Sequence, residues 1–250
     1  MNFYLPTREE CQEIVSRTEA FYCTKREVQG FEIELYDYRL ASYTDYVDNN
    51  AFELRGLCFV NNNGTWERNI LMQKFFNLNE TRDWMYEDVK DKKVDMVQVK
   101  EDGSVISFIK LPNGNVVAKS KMSFVSDQAI MAQEIYDNNE VIRNFINCCL
   151  DQNLVPVFEL VSPFNQIVLV YNDTQLRLLQ VRDNNTGKYL NIYEIKTLIE
   201  PFKCIIIAQA LDMAKINDIL KLYNKEQLLQ KLEESKFFSF DDLLDYLHYK

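Results

Sequence analysis

The chain has 250 residues, with 28 Lys and Arg against 38 Asp and Glu, a net charge of −10, and 47% hydrophobic residues. That is an ordinary globular composition, long enough to bury one full core or two small ones, and it excludes disordered and collagen-like proteins. The longest apolar runs, such as Ile205-Ile206-Ile207-Ala208, fall far short of the roughly 20 residues that span a bilayer, and MNFYLPTREEC has no basic region before an apolar core, which points to a cytoplasmic protein without a membrane segment.

Residues 7–20, TREECQEIVSRTEA, combine a polar cap, an acidic first turn and apolar Cys11, Ile14 and Val15, and predict an amphipathic surface helix. Residues 31–46 alternate and are rich in aromatics, as a strand pair would be, so the first sheet is expected to start there. ELRGLCFV continues as a strand into NNNGTWER, whose Asn-Gly pair marks a hairpin, and a loop with FFNLNE follows. Residues 94–120 read as a lysine-bearing antiparallel meander: VDMVQVK, a turn at EDGS, VISFIK, a second Asn-Gly turn, then VVAKS. Ser126 caps a helical pattern that runs to about Leu150 and is interrupted near Asn138-Asn139. VPVFEL, QIVLVY and LRLLQVRD predict three further strands, and after Asn191 helical periodicity continues almost to the end. Strands followed by helices predict an α+β fold, antiparallel sheets flanked by helices, with a core over 1–190 and a helical segment over 191–250.

The chemistry open to this chain is narrow. One histidine, His248, cannot furnish a multi-histidine metal site or a Ser-His-Asp triad, so catalysis falls to lysine and carboxylates. The six cysteines contain no C-x-x-C spacing and read as reduced thiols, with Cys148-Cys149 as packing. The acidic balance argues against nonspecific coating of nucleic acid, yet Lys90, Lys92, Lys93, Lys100, Lys110, Lys119 and Lys121 concentrate positive charge mid-chain. There is no G-x-G-x-x-G, and Gly187-Lys188 lacks the upstream glycine of a Walker loop. Lys100-Glu101-Asp102-Gly103-Ser104 lies at the expected tip between two strands, and by itself it is a plain turn.

Taken together, several segments resemble the phage RNA ligase 1 family. They are Tyr38, ASYTDY, Glu53-Leu54-Arg55-Gly56, KFFNLNE from Lys74, KEDGS, Lys119-Ser120-Lys121, VFELVSP, NQIVLVY and VRDNNTGKY, spread over about residues 36–189. Members are ATP-dependent RNA ligases of the covalent nucleotidyltransferase superfamily, with an ATP-grasp-like ligase adenylation domain. The resemblance implies that Lys100 attacks the α-phosphate of ATP to form lysyl-AMP. AMP would then pass to an RNA 5′-phosphate, and an RNA 3′-hydroxyl would seal the break. It also implies ATP contacts from Tyr38, Arg55, Lys74, Asp102, Gly103, Lys121 and Glu159, with Mg²⁺ as cofactor, its ligands unassigned, and a phage-infected host cytoplasm as the setting. A free lysine of pKa about 10.4 is roughly one part in a thousand neutral at pH 7.4, so Mg²⁺ and Lys121 are expected to disfavour its ammonium form.

The family continues with a Glu-Gly strand and a strand of paired lysines, whereas after Tyr189 this sequence has neither a Glu-Gly pair nor Lys-x-Lys. The expectation is a truncated or split ligase completed by a second polypeptide. The alternative is a noncatalytic nucleotide-, RNA- or partner-binding relative. An enzyme predicts that Lys100, Lys121, Arg55 and Glu159 converge on one cleft; an interaction protein predicts an exposed apolar stripe on the terminal helices.

Overall fold

The computed structural model describes residues 3–91, 98–165, 169–202 and 205. Helix α1 (Arg8–Arg17) starts at Thr7, whose side chain forms a reciprocal capping box with Glu10. It buries Cys11 and Ile14 in a core shared with Phe21, Tyr36 and Leu57 of the first sheet. That sheet is an antiparallel meander of β1 (Phe21–Val28), β2 (Phe31–Tyr38), β3 (Leu57–Asn62) and β4 (Thr65–Asn69). Its two-residue turns at Gln29-Gly30 and Asn63-Gly64 have positive φ at both positions, the backbone twist that suits a tight hairpin.

Two expectations about this region are corrected. The sheet begins one strand earlier, at β1, whose polar Lys25-Arg26-Glu27 run masks its periodicity and whose Gln-Gly turn is a weaker signal than Asn-Gly. The supposed strand pair over 31–46 is one strand followed by α2 (Tyr43–Asn49), because Ser42 and Asp45 form another capping box and turn the aromatic run into a helix. Likewise ELRG is not strand: Gly56, at φ +77, turns the chain and β3 starts at Leu57.

After a one-turn helix α3 (Tyr86–Val89), the second sheet contains β5 (Ser104–Lys110), β6 (Val116–Ser120), β7 (Leu154–Val161) and β8 (Gln175–Asp183), ordered β6-β5-β7-β8 and antiparallel throughout. Ser126 caps helix α4 (Asp127–Asn138), as the sequence pattern indicates, and at the expected interruption Asn139 caps a separate helix α5 (Glu140–Asp151). With α6 (Ile192–Ile199) they cover one face through Phe108, Tyr136, Phe145, Phe158, Leu178 and Ile195. The other face of β5 and β7 packs on the first sheet, where Val155 and Val157 join Tyr36 and Leu71, and Ile109 joins Ile33 and Val60. Strands β5 and β7 are therefore buried on both faces, and Leu154–Val161 reads as an almost unbroken apolar run. The outer edge of β6 is closed by Gln133 of α4, whose side-chain amide accepts from Ala118 N–H at 2.7 Å and donates to Val116 C=O at 3.4 Å.

The fold is α+β, antiparallel sheets flanked by helices. EDGS is not a hairpin tip among the described residues, because β5 has β6 and β7 as its partners and residues 99–103 lead into it as irregular chain. Most of the predicted strand VDMVQVK, residues 166–168 of QIVLVY, and nearly all helical sequence after residue 202 lie outside the described residues, while Leu169–Tyr171 is not strand. No described helix is long and apolar enough to cross a membrane.

One buried ion pair ties the sheets together. Arg182, at the end of β8, is 0% exposed, and its Nη1 and Nη2 donate to Glu53 Oε2 and Oε1 at 2.9 and 2.8 Å. Its Nε and Nη2 donate to Gly187 C=O at 3.0 and 2.7 Å, and Nη1 also donates to Leu71 C=O. Tyr189 and Phe3 flank the guanidinium at 4.5 and 5.5 Å from their ring centroids. Removing one partner of such a pair leaves the other as an uncompensated buried charge. Glu53→Ala is accordingly expected to lose about 3–5 kcal/mol of unfolding free energy in urea titration; a loss below about 1 kcal/mol, as for a surface pair, would contradict this role.

Candidate active site

Lys100, Arg55, Glu159 and Gly103 line one cleft of about 470 Å³, with Phe75 and Leu179 on its walls. That size suits a small organic ligand. A larger groove of about 780 Å³ between the Gln29 turn and α4 offers Glu27, Glu134 and Asp137 but no cation, so its charge is wrong for a polyphosphate.

Gly103 is required by closeness rather than by turn geometry. A Cβ at this position would stand 2.1 Å from Leu160 C=O, so only glycine lets the segment after Lys100 lie against β7. The Glu159 side chain lies beside it, with Cγ 3.3 Å from that Cβ position, and the Gly103 backbone N–H and the charges of Lys100 and Arg55 favour the ionised form. Burial nevertheless dominates and pushes the Glu159 pKa up to about 7. A carboxylate interrupting the apolar run of β7 thus has its partners at the cleft. Arg55 is held by its own contacts, Nη1 donating to Met72 C=O at 3.2 Å and the guanidinium lying 5.6 Å from the Phe75 ring centroid.

Tyr38, Lys74 and Lys121 form a second, adjoining cluster. Lys121 Nζ is 2.8 Å from Asp37 Oδ2 and 4.6 Å from the Tyr38 ring centroid. Lys74 Nζ stands 5.5 Å from that ring and 4.7 Å from Phe76. The two clusters meet at Arg55-Gly56, since a Cβ on Gly56 would lie 2.7 Å from Lys121 C=O. Asp102 is placed differently from the other candidates: it is buried, does not line the cleft, and its Oδ2 accepts from Leu169 N–H at 2.8 Å.

Two residues here carry no role in the sequence reading, which names Lys119 only as part of the lysine concentration and the Lys-Ser-Lys string. Lys119 is completely buried, and its three donors go to the carbonyls of Gly56, Ser120 and Lys121 at 3.0, 3.2 and 3.2 Å. Burial pushes its pKa down to about 8. The available signal was the period of two, which puts Lys119 on the same inward face as Val117. Asp37 is 1% exposed on β2 and pairs with Lys121; an acidic residue between two tyrosines in FEIELYDY gave no pattern that singled it out. Among the described residues no group of three or more His, Cys, Asp or Glu side chains forms a ready metal site.

The Glu159 shift fixes a sign. Its folded pKa lies above the unfolded 4.5, so ionising it opposes folding, a penalty absent below about pH 4.5 and complete above about pH 7. Glu159→Gln should therefore be nearly neutral at pH 4.5 and more stable than the parent by about 1–3 kcal/mol at pH 8.5 in urea unfolding. A difference that does not change with pH would contradict it.

The RNA ligase family profile matches residues 53–238. A Thermovibrio ammonificans protein named as a candidate RNA ligase is 33% identical over 138 residues, covering 55% of this chain and 36% of that protein. Two forms of an archaeal ATP-dependent RNA ligase align with TM-scores of 0.56, at 15% and 16% identity, over 86% and 84% of this chain and 54% of theirs. The chain therefore spans about a third of the curated relative and about half of the archaeal structures. The profile match takes in the cleft residues Arg55, Lys100, Gly103 and Glu159, Lys74 and Lys121 of the adjoining cluster, and the buried Glu53–Arg182 pair, and the chain belongs to the phage RNA ligase 1 family.

Proposed function

We propose that this chain is the adenylylation part of an ATP-dependent RNA ligase. The observation that carries the reading is the joint placement of Lys100, Arg55 and Glu159 in one cleft, with a second bank of cations, Lys74 and Lys121, beside it. In an acidic chain, gathering cations at an apolar-walled cleft suits an anionic ligand with a flat ring, and Phe75 and Tyr38 offer aromatic surface for a purine.

Lys100 Nζ, as the neutral amine, attacks the α-phosphorus of ATP; the P–N bond forms as the bond to the bridging oxygen breaks, pyrophosphate leaves with that electron pair, and the amine's proton passes to solvent water. Arg55 and Lys121 balance the charge on the phosphates, and Lys74 contributes from the same side. Glu159 is the cleft carboxylate without an ion pair among the described residues, Glu101 being paired with Arg177, and it is the residue that would hold a hard divalent cation together with the nucleotide's oxygens. Mg²⁺ held there would supply neutralisation of phosphate charge. AMP then passes to an RNA 5′-phosphate, and a 3′-hydroxyl displaces it. Residues 1–190 form the nucleotidyltransferase core in this reading and 191–250 a helical segment, with the Glu-Gly and paired-lysine strands supplied by polypeptide beyond these 250 residues.

Incubation with α-labelled ATP and Mg²⁺, followed by a denaturing gel, tests the reading. Label is expected on the unsubstituted chain and none on Lys100→Ala, while Arg55→Ala should label at least about tenfold more slowly. Equal labelling of Lys100→Ala, or none on either protein with the missing strands added back, would overturn it.

A further inference from the structure

We propose that Tyr171 and Arg177 are positioning residues for Lys100, acting through Glu101 and the Asp102 main chain. The proposal rests on the reading of Lys100 as the nucleophile. Among the described residues no hydrogen bond or ion pair holds the Lys100 side chain, which is exposed at the cleft. The direction of Nζ is therefore set by the backbone that follows it, and that backbone is irregular until β5 begins at Ser104.

The irregular stretch is clamped from one side. Arg177 Nη1 donates to both oxygens of the buried Glu101 carboxylate, at 2.9 and 2.8 Å. Tyr171 Oη donates to Glu101 Oε2 at 3.1 Å and accepts from Asp102 N–H at 3.0 Å, so one hydroxyl joins a side chain and the main chain of consecutive residues. The Arg177 guanidinium lies 5.1 Å from the Tyr171 ring centroid. Leu169 N–H holds Asp102 Oδ2 at 2.8 Å, and ahead of the nucleophile Gln98 Nε2 donates to Leu179 C=O at 3.0 Å. From the other side Gly103 rests on Leu160.

The clamp also decides what Arg177 does not do. In the β7–β8 register Arg177 stands directly opposite Glu159, and side chains so placed share a face and pair readily when oppositely charged. Glu101 takes Arg177 instead, which leaves Glu159 facing Lys100 and Arg55. Arg177 Nε remains buried without a hydrogen-bond partner among the described residues, so stability alone does not account for the arrangement.

Tyr171→Phe removes one oxygen atom and both of its hydrogen bonds while keeping the ring. In this variant and in Arg177→Gln, amide hydrogen exchange across residues 98–103 should accelerate about tenfold or more with the global unfolding midpoint nearly unchanged. The rate of lysyl-AMP formation at saturating ATP should fall about tenfold or more while KM for ATP moves less than about threefold. Glu101→Gln combined with Tyr171→Phe should lose little more than either alone, because both act on one cluster. Parental exchange in Tyr171→Phe, or faster exchange with a parental labelling rate, would overturn the proposal. Failure of the unsubstituted chain to label, with the missing strands added back, would count against the ligase reading, and exchange would then alone decide whether the clamp orders this segment.

Discussion

A guanidinium taken wholly out of water must have its charge answered in place, and Arg182 has it answered from three directions: Glu53, the Leu71 carbonyl and the Gly187 carbonyl. Those groups belong to the connection leading into β3, the chain after β4 and the turn after β8, so the ion pair fixes one sheet relative to the other. Glu53 is two residues from Arg55, and the constraint passes directly into the cleft. Gly56 follows, pressed against Lys121, and its carbonyl is taken by Lys119. The cations of the cleft thus inherit their positions from a pair that never meets solvent.

The same device recurs around the site. Lys119 gives all three donors to carbonyls, Asp37 meets Lys121, and Glu101 meets Arg177. Ionised groups this poorly solvated are expensive, and replacing them by apolar residues often leaves a protein as stable or more so. What apolar packing cannot do is aim a hydrogen-bonding group, because dispersion contacts have no direction. A site that must hold several cations near one anionic ligand has a physical reason to use oriented polar contacts behind its walls, with the apolar cores kept to the sheet faces.

Local chemistry was the legible part of this sequence. The Asn63-Gly64 turn, the Ser126 cap and the helix interruption at Asn139 depend on residues within three or four positions of one another, and each formed as its residues indicate. Where two local signals compete, the capping signal prevails: aromatic content in the run after Tyr38 suggests strand, and the Ser42–Asp45 cap makes it helix. The resemblance located Lys100, Arg55 and Glu159 as candidates that the fold brings to one cleft. Their supports were not readable, because Tyr171 and Arg177 reach Glu101 across 70 and 76 residues, and Gly103 owes its identity to a carbonyl on another strand. A glycine reads as a turn until the neighbour it accommodates is known.

Gln133 has a bearing beyond the covering of β6. An edge strand with open N–H and C=O groups is a template on which another polypeptide can dock its own backbone, the route by which sheet proteins run together into aggregates. Here a side-chain amide imitates one peptide unit and occupies Ala118 N–H and Val116 C=O, so a stray strand finds that rim already satisfied. The short length of β6 and the helix that carries Gln133 make self-association along this border unrewarding.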